Sequence, residues 1–341
     1  MKIELNSSLF NDFVKKSKDI KTNSILIDAT DAVELVKCDL ENQVSTEIIA
    51  QVYESGSVVL PKEIFPLIKD KELMTITNES ITVGTRVIKT EIKSGRNYPK
   101  IEDDFKYKVF DLSDKELQNL LQVEHAISQD KTKPILNGIR IERNKFIAID
   151  GYRLCERIGA FETELPITIS NYKMLKGLKG QIKATCSDRY IKYQVNNYNY
   201  YNRLIEGDFI QVDKLKPRDH NTVVEVSKKE FEDILRAMEK VSSKVKNSLV
   251  KLNIRDNLIH LSVEVKEDEK KKTKAIKLED SIKCTSSGDY LDIGFNCRYL
   301  LEAIKYMNKI KMSFTTNVNP VIIEDDNKYE LVLPVRIATT I

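Results

Sequence analysis

Neither a Gly-rich phosphate loop, a His-Glu-x-x-His pair nor a Gly-x-Ser-x-Gly elbow occurs in these 341 residues, so the common catalytic constellations are missing. His125, His220 and His260 each stand alone, and a solitary histidine most often serves structure. Five cysteines, Cys38, Cys155, Cys186, Cys284 and Cys297, form no Cys-x-x-Cys pair; buried reduced thiols are expected rather than disulfides or zinc. No apolar run approaches the ~18 residues of a membrane span, and the opening MKIELNSS lacks a signal-peptide core. A cytoplasmic protein without membrane contact is therefore expected. The charge is nearly balanced at +3, so any binding to nucleic acid has to come from where the charges sit. Glu102-Asp103-Asp104 and Glu324-Asp325-Asp326 fall where a domain end or a turn is expected, and read as turns rather than as a Mg²⁺ site. No catalytic residue, metal or cofactor is expected.

What is present is a repeated unit of strand, cap and helix. In Leu291 to Met307 an alternating apolar run passes through Asn296 into a helix whose Leu300, Ile304 and Met307 share one face. Arg298, Glu302, Lys305 and Lys309 fall on the opposite, solvated side. Val223 to Val241 repeats the unit with Ser227 and Glu230 as a capping box; Lys108 to Leu121 repeats it with Ser113 and Glu116. Lys2 to Val14 has a weaker cap but keeps Leu9, Phe10, Phe13 and Val14. Two shorter copies run from Val58 to Ile68, with Pro61 at the first helical position, and from Ile167 to Leu175, capped by Ser170. Pro66 conflicts with the first of these.

The long helices start at Ser7, Ser113 and Ser227, about 106 and 114 residues apart, a period suited to compact domains rather than a solenoid. Strand-like runs separated by turn residues lie between the helices, so the fold class is α+β, three tandem similar domains, each with two helices on antiparallel sheets. The run Lys266 to Lys277 has no apolar period and reads as a solvated loop between strands. Lys229, Arg236, Lys240 and Lys244 form a stripe on one helix, Lys15, Lys16 and Lys18 crowd the end of another, and Lys173, Lys176 and Lys179 flank a third. Five of the six helices offer cations to a common partner. FIAIDGYRL, Phe146 to Leu154, is a strand entering an Asp-Gly turn, and YELVLPVRI, Tyr329 to Ile337, is a strand cut by Pro334.

With the triplication, five motifs in register resemble the bacterial DNA polymerase III β subunit family, the sliding clamps. They are PILNGIRIE (Pro134 to Glu142), AIDGYRL (Ala148 to Leu154), EGDFIQVDKLKP (Glu206 to Pro217), DIGFNCRYLLEAIK (Asp292 to Lys305) and LVLPVRI (Leu331 to Ile337). The resemblance spans the whole chain and is densest in its last two thirds. It implies the DNA clamp fold with domains at 1–106, 107–219 and 220–341, forming half of a closed ring around double-stranded DNA as a head-to-tail homodimer. Sliding requires holding phosphates without reading bases. The DNA contacts implied are Lys15, Lys21, Lys133, Lys176, Lys240 and Lys305, and the dimer contact pairs the region of Tyr98 with that of Ile282.

The family also tethers the DNA polymerase catalytic subunit, the clamp loader and other clamp-binding-motif proteins through a short peptide carrying a Gln and an apolar pair. The pocket implied draws Leu136, Ile149, Gly151, Tyr152, Arg153 and Leu154 from one region, and Ile210, Lys214 and Leu215 from another. Leu331, Leu333, Pro334, Val335 and Arg336 complete it, rimmed by Asn296 and Tyr299. Departures from the family pattern are a shortened stretch between Lys18 and Glu34, Lys214 in place of an arginine, and Ala338 to Ile341 extending past the usual end beside the pocket. Two other classes stay open: a clamp-fold peptide-binding adaptor that does not encircle DNA, and a metal-dependent nuclease, which needs carboxylates clustered in space.

Overall fold

The computed structural model describes residues 1–243, 248–267 and 274–337. The chain divides into two compact units, Met1–Gln118 with Phe161–Glu206, and Asn119–Ala160 with Gly207–Ile341. Lys244 and the tail Ala338 to Ile341 lie outside the described residues, as does half of the Lys266 to Lys277 run, residues 268–273.

In the first unit a five-stranded antiparallel sheet runs in the order Gln51–Glu54, Lys2–Asn6, Leu73–Thr77, Ser80–Val83, Arg86–Lys89. A nine-stranded sheet joins the first third of the chain to the middle third where Asn42–Glu47 pairs with Tyr198–Arg203. Helix α1 (Ser7–Lys16) follows the first strand directly, with Asn6 Oδ1 accepting from the Ser8 N–H at 2.9 Å. Phe10 and Phe13 are fully buried, but Leu9 is exposed. The helix therefore turns a narrower face to the core than four apolar residues suggest. Helix α2 (Asp114–Gln122) starts after Ser113, whose hydroxyl accepts from the Glu116 N–H at 3.3 Å.

The two shorter copies of the unit are not α-helices. Lys62–Leu67 is a 3₁₀ helix with Pro66 inside it, and Tyr172–Leu175 is a single 3₁₀ turn. Proline lacks the N–H that an α-helical ladder needs, and 3₁₀ geometry is used in short pieces. Ser170 does not cap its turn; its hydroxyl donates to the Arg203 carbonyl at 3.1 Å and accepts from Asn202 at 3.0 Å.

The second unit holds a ten-stranded antiparallel sheet. Its order begins Ile139–Ile149, Arg153–Ile169, Lys328–Val332, Val321–Asp325, Ile310–Phe314, and continues Thr222–Val226, Ile276–Gly288, Leu258–Val265, Leu249–Arg255, Leu291–Asn296. Helices α3 (Lys228–Ser242) and α4 (Cys297–Ile304) each leave the end of a strand. The Asn296 side chain accepts from the N–H groups of Arg298 and Tyr299 at 3.0 and 3.3 Å. Ser227, by contrast, makes no side-chain cap bond, so the expected capping box does not form. Phe231, Leu235 and Met238 of α3 and Leu300 and Ile304 of α4 share one core with Phe295, Phe314 and Ile282. Lys228 donates to the Lys305 carbonyl at 3.3 Å, which sets the start of α3 beside the end of α4.

Strand Ile276–Gly288 changes neighbours along its length. Ile276 to Lys283 pair with Leu258–Val265 on one side, whereas Cys284 to Gly288 pair with Thr222–Val226 on the other. Among the described residues, its first eight positions thus keep one open backbone edge.

Candidate functional site

The hairpin of FIAIDGYRL and the strand of YELV build a two-faced surface in the second unit. Asp150 accepts from the N–H groups of Tyr152 and Arg153 at 2.9 and 3.0 Å, and Gly151 takes a φ of +91°, which suits glycine. Leu154 then pairs with Leu331 in the ladder, and the Leu333 N–H donates to the Tyr152 carbonyl at 2.9 Å. Side chains alternate across a strand, so Tyr152, Leu154, Leu331 and Leu333 share one face and Arg153, Cys155, Arg157 and Glu330 share the other.

The first face is apolar. Leu136, Ile149, Leu154 and Leu331 lie in one buried cluster with Ile147 and Val212, against which Ile135, Phe209 and Tyr329 pack. Around this floor large apolar side chains stay in solvent: Tyr152 is 63% exposed, Ile210 41%, Leu215 40% and Leu333 37%. Exposed large apolar side chains beside an aliphatic floor mark a binding groove better than scattered surface leucines do. Pro334 follows the rim, after which the chain leaves the groove. The Val335 N–H donates to the Gly294 carbonyl at 2.8 Å, and a Cβ on Gly294 would press on Ile337. Arg336 is exposed on this departing segment, and Lys214 is exposed on the turn Val212–Lys214 beside Ile210. Asn296 is occupied as the α4 cap.

The second face is a charge network. The Arg153 guanidinium bonds Asp150 at 2.9 Å, the Glu302 carboxylate and the His125 carbonyl, and lies 4.2 Å from the Tyr299 ring centroid. Burial works to raise the Glu302 pKa, but hydrogen bonds from Arg153 and Arg298 hold the carboxyl below its ordinary value. Tyr299 is pushed up by burial, and its ring centroid is 6.5 Å from that of Tyr152. Deeper in, Arg157 bonds Glu330 at 2.6 Å, and Glu330 also meets His125 Nε2 at 3.1 Å. His125, Cys155 and Glu330 are the one trio with metal-ligand spacing among the described residues. A cation does not suit it: Glu330 is already neutralised by Arg157, and burial drives the Cys155 thiol well up, away from the thiolate a metal needs.

The acidic clusters bond distant parts of the chain, and Glu324 and Asp325 lie in strand Val321–Asp325 rather than in a turn. Asp103 accepts from Ser187 at 2.9 Å, and Asp325 from the Asn308 N–H at 2.6 Å. A larger cleft of about 1050 Å³, lined by Lys228, Lys229, Lys309, Lys311, Glu324 and Asp325 with Val226 and Ile310, has mixed charge.

Lys15, Lys21, Lys133, Lys176, Lys240 and Lys305 are all exposed. Lys15 ends α1, Lys240 is in the last turn of α3 and Lys305 caps α4. Lys21 lies after α1, its N–H bonded to Asp39 at 3.0 Å, while Lys133 precedes the turn Pro134–Leu136 and Lys176 ends the turn Tyr172–Leu175. Arg236 of the α3 stripe is paired with Glu232 of its own helix. Ile282 is only 4% exposed, inside the core of its unit, and the Tyr98 hydroxyl donates to the Ser24 carbonyl at 3.0 Å.

Sequence reading missed Ile147, Val212, Phe209 and Tyr329 as floor, although Ile147 stands two residues before Ile149 at strand period. Glu302 was assigned to a solvated stripe, because nothing local shows that a distant arginine covers it.

The central-domain model of the DNA polymerase III beta subunit matches residues 111–211, and the C-terminal-domain model of the same family matches residues 213–336. The beta sliding clamp of Staphylococcus epidermidis is 26% identical over 346 residues, covering 93% of this chain and 90% of the relative. That of Staphylococcus aureus is 26% identical over 345 residues with the same coverage. The fold is similar to the crystal structure of the Bacillus subtilis DNA polymerase sliding clamp, with a TM-score of 0.87 and 21% identity over 99% of each chain. It is also similar to the Bartonella birtlesii sliding clamp bound to griselimycin, with a TM-score of 0.84 and 21% identity over 99% of this chain and 100% of that one.

Proposed function

The chain belongs to the family of DNA polymerase III beta subunits, the sliding clamps, and on that premise we propose that it works as a ring-shaped head-to-tail homodimer around duplex DNA. Three domains bounded near residues 106 and 219 make up each half of the ring. It is a non-catalytic, cytoplasmic accessory subunit, placed on DNA by a clamp loader. Lys15, Lys21, Lys133, Lys176, Lys240 and Lys305 hold phosphates through individually weak, salt-sensitive contacts. The two chains join the region of Tyr98 to that of Ile282, which lies on the open backbone edge of Ile276 to Lys283.

The apolar groove between Tyr152, Leu333, Ile210 and Leu215 takes a short peptide from the polymerase or another replication or repair protein. The observation that carries this reading is the exposed rim of four large apolar residues above a buried aliphatic floor. Burying a Leu and a Phe there contributes roughly 3 to 6 kcal/mol before the peptide's ordering cost. Exchangeable binding follows, made effective because both partners share one DNA.

The test is retention on DNA after loading. Retention on a nicked circle and loss on linearising it supports the ring; equal loss from both, with peptide binding intact, supports an adaptor that keeps the groove without encircling DNA.

A further inference from the structure

We infer that the groove continues into a basic end that selects peptides carrying acidic residues beside their apolar anchors. The inference rests on the groove being a peptide site, and adds what lies next to the anchors.

Strand alternation carries the apolar face onward. On Ile139–Ile149 Lys145 precedes Ile147 and Ile149 at strand period, so the aliphatic floor gives way to a cation along one face, and Arg143 stands in the turn just before it, on the wall of the same cavity. On the neighbouring strands Glu156 stands opposite Tyr329, next in line after Leu154 and Leu331. These groups border a cavity of about 410 Å³ whose walls include Ile147, Ile210, Val212 and Lys214, residues of the floor, the rim and the implied pocket. The cavity is thus a continuation of the groove.

Its charges do not cancel. Glu156 is nearly buried and lies between Lys145 at 3.0 Å and Lys216 at 2.9 Å; Glu142 is paired with Arg140 at 3.2 Å; Asp213 is 3.8 Å from Lys216. Arg143 and Lys214 are exposed, and no anion pairs with either among the described residues. Arg143 is held at a φ of +54°, in a turn that projects from the strand. An anchored peptide whose flank carries Asp or Glu meets two uncompensated cations, whereas a lysine flank meets repulsion.

The test uses the full chain and three labelled peptides that share a Gln and a Leu-Phe pair and differ only in flanking residues: two glutamates, two glutamines or two lysines, placed on one side and then the other. Fluorescence anisotropy at low salt is expected to show the acidic peptide binding about three- to tenfold tighter than the glutamine peptide from one side, and the lysine peptide binding weakest. The advantage shrinks at high salt and falls in Arg143→Glu. The glutamine peptide binds Arg143→Glu as it binds the parent, which excludes a folding defect. Equal affinity of all three peptides overturns the basic-end inference while leaving the groove reading intact; absence of binding by any of them overturns both.

Discussion

Arg153 lies 4.2 Å from the centroid of the Tyr299 ring and bonds Glu302 on the same helix, so the strand behind the groove is clamped to α4 from two adjacent positions. Replacing Glu302 by Gln keeps the shape and removes the charge that completes this clamp. The expected cost is about 1 to 3 kcal/mol of stability, read as a lower urea midpoint with an unchanged denaturant slope. A midpoint equal to that of the parent would show the contact to be idle.

The same pair sets a dependence on acid. The Glu302 carboxyl is held below its ordinary value of 4.5, since the bonds from Arg153 and Arg298 outweigh the effect of burial. Its contribution is fully present above that value and is lost as pH falls through the lowered folded value. Urea midpoints measured from about pH 7 down to pH 3 should therefore converge for the parent and Glu302→Gln at the acid end.

Arg157 is 1% exposed and bonds Glu330, itself 0% exposed. Arg157→Met leaves a carboxylate in the core without its partner, and should cost about 3 to 5 kcal/mol. Adding Glu330→Gln is expected to return part of that loss. A double variant less stable than the single one would place the penalty in packing instead of charge.

Tyr152 and Leu333 stand in solvent, so their removal should spare the fold. Tyr152→Ala and Leu333→Asp are each expected to shift stability by no more than about 0.5 kcal/mol, while a Leu-Phe peptide loses about tenfold or more in affinity. Calorimetric unfolding beside anisotropy titration separates the two effects.

Four of the five cysteines are buried, and burial pushes the Cys297 thiol up to about 12. Iodoacetamide at pH 8 is expected to modify Cys284, which is partly exposed, well before the others, and all five at similar rates in guanidinium. Peptide mass mapping over time reads this directly.

Local patterns in the sequence located most of the architecture. The strand, cap and helix at Asn296 and the Asp-Gly turn at Gly151 are local events, and the residues that make them are adjacent in the chain. Leu136, Ile149, Leu154 and Leu331 came from family motifs, and the structure collects them in one cluster. What escaped was set by distant partners or by competition. Pro66 and the short length of Tyr172–Leu175 turned expected helices into 3₁₀ turns, and Leu9 lost its place in the core to Phe10 and Phe13. Glu302 looked solvated until an arginine 149 positions away reached it.

The half-open strand Ile276–Gly288 also bears on selectivity. Lys277, Glu279, Asp280 and Lys283 crowd the eight positions that are paired on one side only, and charges on a bare β rim deter indiscriminate zipping. A visiting strand gains the vacant amide and carbonyl row only if its own ions answer these four in order. Such a charged rim disfavours edge-to-edge growth into open-ended fibres.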